Sequence, residues 1–174
     1  VARNSSPSKF GNSAYFDGND YISIPDDRDF YLDGDFTIDF WIYPTNVAVD
    51  QVLFSMHNLS LKIVNGGLLK LRMLSREPIQ YGPLSNRNWY HIALVRKEGT
   101  VKLFVNGNQA GSYYYTDPVQ GSGNPVGSGS YYFFIGANVP PPAAYFYYGY
   151  MDEFRWSKGI ARWWSNFSVP TQPY

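Results

Sequence analysis

Cysteine is absent from this sequence, which rules out both a disulfide framework and thiolate ligation of a metal. Stability must come from an apolar core, and 174 residues can supply one without covalent staples. Glutamate occurs three times, as Glu77, Glu98 and Glu153, and histidine twice, as His57 and His91. Two histidines without cysteine cannot supply the usual zinc ligands unless an aspartate joins them. Net charge is also missing, with 14 basic residues set against 14 acidic ones and no basic tract. Nucleic acid is therefore not an expected partner. No apolar run approaches the roughly 18–20 residues of a membrane span, so no membrane insertion is expected. A charged-then-apolar leader is not seen either. The chain opens Val1-Ala2-Arg3 without methionine, which points to a piece excised or processed from a longer protein.

What is present is aromatic: 16 Tyr, 12 Phe and 5 Trp. Such a composition favours strands over helices. In Asp35–Tyr43, Phe36, Ile38, Phe40 and Ile42 alternate with Thr37, Asp39, Trp41 and Tyr43, the period of two that sheets require. Trp89–Lys97 repeats the pattern, with Tyr90, Ile92 and Leu94 on one face and His91, Ala93 and Val95 on the other. Thr100–Val105 is a third strand, ending at Asn106-Gly107, a dipeptide suited to a type I′ hairpin. Phe40 and Leu103 are expected between the sheets, and their neighbours Asp39 and Lys102 at tolerant positions.

Shorter strands are expected at Ser13–Phe16, Asp20–Ile24, Val52–Met56, Leu59–Val64, Leu68–Leu74, Ser130–Ile135 and Tyr147–Trp156. Turn signals separate them every 8–12 residues or so, the rhythm of a sandwich or barrel. Only Lys158–Trp164 could hold a short helical turn. The length fits one domain, residues 1–174, by the prior of about 100–200 residues per domain. Formal glycosylation sequons stand at Asn4, Asn58 and Asn166, a pattern frequent by chance.

Several pieces, in order, resemble the laminin-G-like branch of the concanavalin A-like lectin/glucanase superfamily. They are AYFDGNDYISIP (Ala14–Pro25), FTIDFWIYP (Phe36–Pro44), WYHIALVR (Trp89–Arg96), VKLFVNG (Val101–Gly107) and GYMDEFRW (Gly149–Trp156). A closing segment follows in Gly159–Arg162, Asn166-Phe167 and Pro170, so the likeness runs from about Ser13 to the C-terminus, with the domain core at about residues 13–170. The resemblance implies an all-β fold, a jelly-roll sandwich of two antiparallel sheets whose first and last strands are neighbours. It also implies a candidate structural calcium site at Asp17, Asp20 and Asp152. The alternative is that Asp17 and Asp20 cap a turn while Asp152 or Glu153 pairs with Arg155 or Arg28.

Catalysis of the glucanase type would need paired carboxylates in the spacing E-x-D-x-x-E, and none of the three glutamates stands in it. The Arg, His and Tyr pattern of related lyases has no match, so no catalytic residue is assigned. His91, within a strand, is expected to be a structural imidazole, and His57 a turn residue.

The stretch VPPPAAYFYYGYMDEFRW (Val139–Trp156) divides in two. Met151, Phe154 and Trp156 should face the core, with Asp152–Glu153 marking a bulge. Tyr145, Phe146 and Tyr147 instead follow Pro140–Pro142, which stiffen the approach. With Tyr113, Tyr114 and Tyr115, and with Tyr131 and Tyr132 nearby, they could form a platform on which sugar rings stack. The other reading is that these tyrosines pack on a sheet or on another chain. The expected function is a non-catalytic, lectin-like module that binds a glycan of a cell surface or matrix, as in a surface protein or phage tail fibre. An adhesive protein-interaction domain is the rival, and a hydrolase a more distant one. The expected setting is extracellular, on a cell or virion surface.

Overall fold

The computed structural model describes residues 1–25, 27–56, 58–119, 132–138 and 145–174, with the backbone alone at Arg28 and Tyr132. His57, Tyr131 and Pro140–Pro142 lie outside the described residues. In chain order the strands are β1 (Ala2–Asn4), β2 (Ser13–Asp17), β3 (Ile22–Pro25), β4 (Phe36–Pro44), β5 (Gln51–Met56), β6 (Leu59–Val64) and β7 (Leu68–Met73). Then follow β8 (Arg76–Tyr81), β9 (Tyr90–Lys97), β10 (Thr100–Val105), β11 (Asn108–Tyr114), β12 (Tyr132–Ile135) and β13 (Tyr148–Lys158). They form two antiparallel sheets, one ordered β1-β2-β13-β4-β9-β10-β11 and the other β3-β12-β5-β6-β7-β8. The early strand β2 pairs with the last strand β13 inside the seven-stranded sheet. The all-β sandwich is the expected architecture.

Alternation decides which side chains meet between the sheets. Phe36, Ile38, Phe40 and Ile42 of β4 are wholly buried in the main core, together with Ile92, Leu94 and Leu103 of β9 and β10. From the facing sheet come Phe54, Leu61, Leu71 and Ile79, which stand opposite one another across β5 to β8. In β13 the register slips between Asp152 and Arg155, with Glu153 at φ 53°, so the expected bulge is present. Met151 is core, and Phe154 and Trp156 pack against it.

Two expectations need correction. Residues 158–164 hold no helical turn: Lys158 ends β13, and the only helical element among the described residues is a 3-10 turn at Arg28–Phe30. Asp39 and Lys102, expected at tolerant positions, stand beside Ala93 and Val95 on an outer face of the seven-stranded sheet that the C-terminal segment covers. Ala93, Val95 and Phe104 form a second core there, covered by Ala161, Trp163, Trp164 and Phe167. Thr37 Oγ1 donates to the Ile160 carbonyl at 2.7 Å, and Phe167 N–H donates to the Gly107 carbonyl at 2.9 Å. Gly107 is required twice over. It sits at φ 77° after Asn106 at φ 50°, the two left-handed positions of a type I′ turn, and a Cβ there would fall 2.0 Å from the Phe167 carbonyl oxygen. No helix among the described residues is long and apolar enough to cross a membrane.

Candidate functional site

With one sheet face covered by the C-terminal segment, the outer face of the six-stranded sheet is the place to look for a site. Phe134, Ser55, Ser60 and Arg72 stand side by side on β12, β5, β6 and β7. The next outward rung is Val52, Lys62, Lys70 and Gln80 on β5 to β8. An extra residue in β5 makes this possible. The register slips between Val52 and Phe54, so Leu53 and Phe54 both enter the core while Val52 and Ser55 remain on the outer rungs.

These rungs floor a groove of about 410 Å³, lined by Val52, Ser55, Ser60, Lys62 and Arg72, with Asp50, Asn138 and Tyr145 at its walls. The volume lies in the range of about 300–1,000 Å³ usual for ligand pockets. Gln51 also lines it and is fixed: its Oε1 accepts from Tyr148 N–H at 3.0 Å and its Nε2 donates to the Asn46 carbonyl. Tyr145 is half exposed, and its carbonyl accepts from Val52 N–H at 2.8 Å, which pins its backbone to β5. Its φ is 75°, a left-handed conformation unfavourable for a bulky aromatic. Such strain persists only where neighbouring structure imposes it, and it concentrates at functional sites. Beside the groove, Phe146 stacks on Tyr21 at 6.3 Å, and Tyr21 packs at 5.5 Å on Phe134.

The polar groups of this face are unevenly matched. Glu77 on β8 pairs with Lys62 and, at 3.0 Å, with Lys70. Hydrogen bonds from Lys62 and then Lys70 hold its carboxyl below the usual carboxylate range. Asp50 accepts from Asn65 N–H at 2.7 Å.

Among the described side chains expected to form an aromatic platform, Tyr145 alone lines this groove, and Phe146 lies beside it. Tyr147 does not belong to a platform: its ring is wholly buried against Phe16, because it is the first inward residue leading into β13. Tyr113 and Tyr115 stack on each other at 6.3 Å and pack half-buried against the core, leaving only Tyr114 largely exposed. All three sit at the β11 edge, which packs over β8, with β6 and β7 between β8 and β5. One convergent rim of all six rings is therefore not formed. Tyr132 contributes backbone to β12.

The expected calcium ligands are engaged separately. Asp17 accepts from Asn19 N–H at 3.1 Å in its own turn, and Asp20 lies 3.0 Å from the Val1 amino group. Asp152 is nearly buried and accepts from the backbone N–H groups of Lys9, Phe10 and Glu153, each at 2.9 Å. Among the described residues no group of three or more Asp, Glu or His is placed to hold a metal ion, so these three do not fit one calcium donor set.

The covered face holds a polar network that alternation alone did not reveal. Asp39, expected at a tolerant outer position, has no solvent exposure. It receives two hydrogen bonds from Arg155, at 3.0 Å from Nε and 2.8 Å from an Nη, and one from the Tyr174 hydroxyl. With that hydroxyl donating to Asp39, its oxygen accepts from His91 Nε2 at 3.0 Å. Burial alone would raise the Asp39 carboxyl, but His91, with its Nε2 3.6 Å away, and the hydrogen bonds from Arg155 and Tyr174 outweigh it and hold it below the usual range. The Tyr174 phenol is pushed far up, first by burial and then by Asp39. His91 is thus the structural imidazole expected. Lys102 is also engaged, donating to the Trp164 carbonyl at 2.9 Å. The three glutamates lie apart, Glu77 on β8, Glu98 in the β9–β10 turn and Glu153 on β13, so none forms a carboxylate pair with another.

Residues 16–161 match the family described as the concanavalin A-like lectin/glucanases superfamily. No curated protein matches the chain. Among solved structures, domain 4 of AbnA, a GH43 extracellular arabinanase from Geobacillus stearothermophilus, in complex with arabinotriose, superposes with a TM-score of 0.67. It is 20% identical, over 91% of this chain and 76% of that one. The Ruminococcus gnavus IT-sialidase CBM40 gives 0.59 at 15% identity, over 85% and 92%. Mouse laminin α1 chain domains LG4-5 give 0.62 at 14% identity, over 91% of this chain and 44% of that longer one. The match over most of its length, on an antiparallel two-sheet sandwich with β2 beside β13, means that this chain belongs to the concanavalin A-like lectin/glucanases superfamily.

Proposed function

We propose that this chain is a non-catalytic carbohydrate-binding module of a secreted or surface protein, and that it binds sugar in the groove across β5, β6 and β7. The observation that carries the reading is the groove itself: a polar floor of Ser55, Ser60, Lys62 and Arg72 beneath a half-exposed Tyr145 whose backbone is held in a left-handed conformation. Sugar recognition needs this combination. Hydroxyl groups are met by serine and charged side chains, while an aromatic face takes the C–H face of the ring. A fixed backbone reduces the ordering cost of binding. Asp50 is the one carboxylate among the described residues that line the groove, whereas hydrolysis there would require two carboxyl groups about 5–9.5 Å apart across the bond, which supports a binding role. The similar structures are consistent with this, since one was solved with arabinotriose and another is a sialidase CBM40.

A second reading has its own support. Tyr114, 69% exposed on the edge strand β11, is a feature by which an adhesive domain could contact protein. A glycan array probed with the chain and with Tyr145→Ala and Tyr114→Ala variants separates the two. Sugar binding that is lost in Tyr145→Ala and kept in Tyr114→Ala is the expected result. An array with no binding at any glycan would leave the adhesive reading in its place.

A further inference from the structure

Resting on the reading of the groove as a sugar site, we infer that its ligand is an acidic sugar, whose carboxylate or sulfate is received by Arg72 with Ser60. The argument begins with partners. Lys62 and Lys70 share Glu77. The Arg72 side chain has neither an ion pair nor a hydrogen bond among the described residues, although it is half-buried in the groove. Directly across the strand pair stands Ser60, nearly buried, whose hydroxyl also has no partner among the described residues. The two therefore present an unused guanidinium fork and an unused hydroxyl at adjacent positions on the groove floor.

A half-buried guanidinium that no carboxylate neutralises is a poor structural element and a good anion receptor. Its planar donors match a carboxylate or sulfate bidentately, and the hydroxyl can add a further donor. Lys62 beside it adds positive potential that Glu77 only partly cancels, since Glu77 also serves Lys70. The acid lining the groove, Asp50, is turned to the backbone of Asn65. A neutral sugar would leave the guanidinium unmet and desolvated, whereas an acidic one satisfies it.

The test is equilibrium binding to an oligosaccharide set in which uronate- or sialate-terminated members are paired with their carboxyl-reduced forms, alongside sulfated and neutral members. Binding should be confined to the acidic members, and carboxyl reduction should abolish it if a carboxylate is the ligand group. Preference for the sulfated members would assign sulfate instead. Arg72→Ala should weaken binding about ten- to a hundredfold, the loss of one or two charge-assisted hydrogen bonds, and Arg72→Lys should restore only part. Unchanged melting of both variants shows that the fold is intact. Equal affinity for neutral and acidic members, or no effect of Arg72→Ala, overturns the inference. Neutral-sugar binding that is lost in Tyr145→Ala would keep the groove while removing its acidic preference. Failure to bind any member would remove the groove reading as well.

Discussion

A carboxylate shut off from water is tolerable only if donors surround it, and Asp39 shows what that requires. Arg155 supplies charge and two donors, Tyr174 a third, and His91 completes the chain through the phenol oxygen. Removing one partner of such a buried pair costs about 3–5 kcal/mol, because the remaining charge is left uncompensated. Asp39→Ala should accordingly destabilise at least as much as Phe40→Ala, for which loss of a buried ring predicts about 3–5 kcal/mol. Urea unfolding of the two variants checks this. The pH dependence follows from the depressed carboxyl. Its stabilisation is complete above the unfolded Asp value of about 3.9 and is lost as pH falls through the lower folded value. The parent should therefore lose stability below about pH 4 faster than Asp39→Asn. Parallel acid-unfolding curves would contradict the assignment. Phe40 was legible in the sequence because alternation names the inward residue. Asp39 was not, because alternation says nothing of a segment more than a hundred residues later that returns to cover the opposite face.

The strands themselves were legible wherever apolar residues alternate, and missed where other forces define them. β8 carries Pro78, which argues against a central strand, but β8 is an edge, where a missing donor is tolerated. β11 was foreshadowed by the Asn106-Gly107 turn, yet NQAGS lacks an apolar rhythm. It is small by necessity: a Cβ at Gly111 would approach Ile79 to 2.8 Å, so β11 can lie close over β8 only with glycine there. Gly111→Val should destabilise by about 1–3 kcal/mol through overpacking, measurable by thermal or urea melting. The β13 bulge has a similar local cause. Asp152 meets three backbone N–H groups, two of them from Lys9 and Phe10, and so ties the segment between β1 and β2 to the last strand. With that carboxylate committed, and Asp17 and Asp20 engaged elsewhere, millimolar calcium should leave the melting curve in place. A clear upward shift in calcium over chelator would show that the Asp17–Asp20 turn recruits the ion with further ligands.

At the scale of the whole molecule, the two sheet faces differ in what covers them. The seven-stranded sheet is sealed by Trp163, Trp164, Phe167 and Tyr174, whereas the six-stranded sheet presents the polar rungs and Tyr145. The groove was only partly legible in advance, since Tyr145 announced itself by composition but Ser55, Ser60 and Arg72 lie on ordinary alternating strands. Cross-strand register, which pairs Ser55 with Ser60 and Ser60 with Arg72, is what assembles them. The central claim is that this face, and not the β11 edge or the C-terminal segment, receives sugar. Its most direct test is an amide-detected NMR titration with the oligosaccharide found to bind on the array. The account predicts shifts concentrated at Val52, Ser55, Ser60, Arg72 and Tyr145, and shifts concentrated instead at Tyr113–Tyr115 or at residues 159–174 would contradict it.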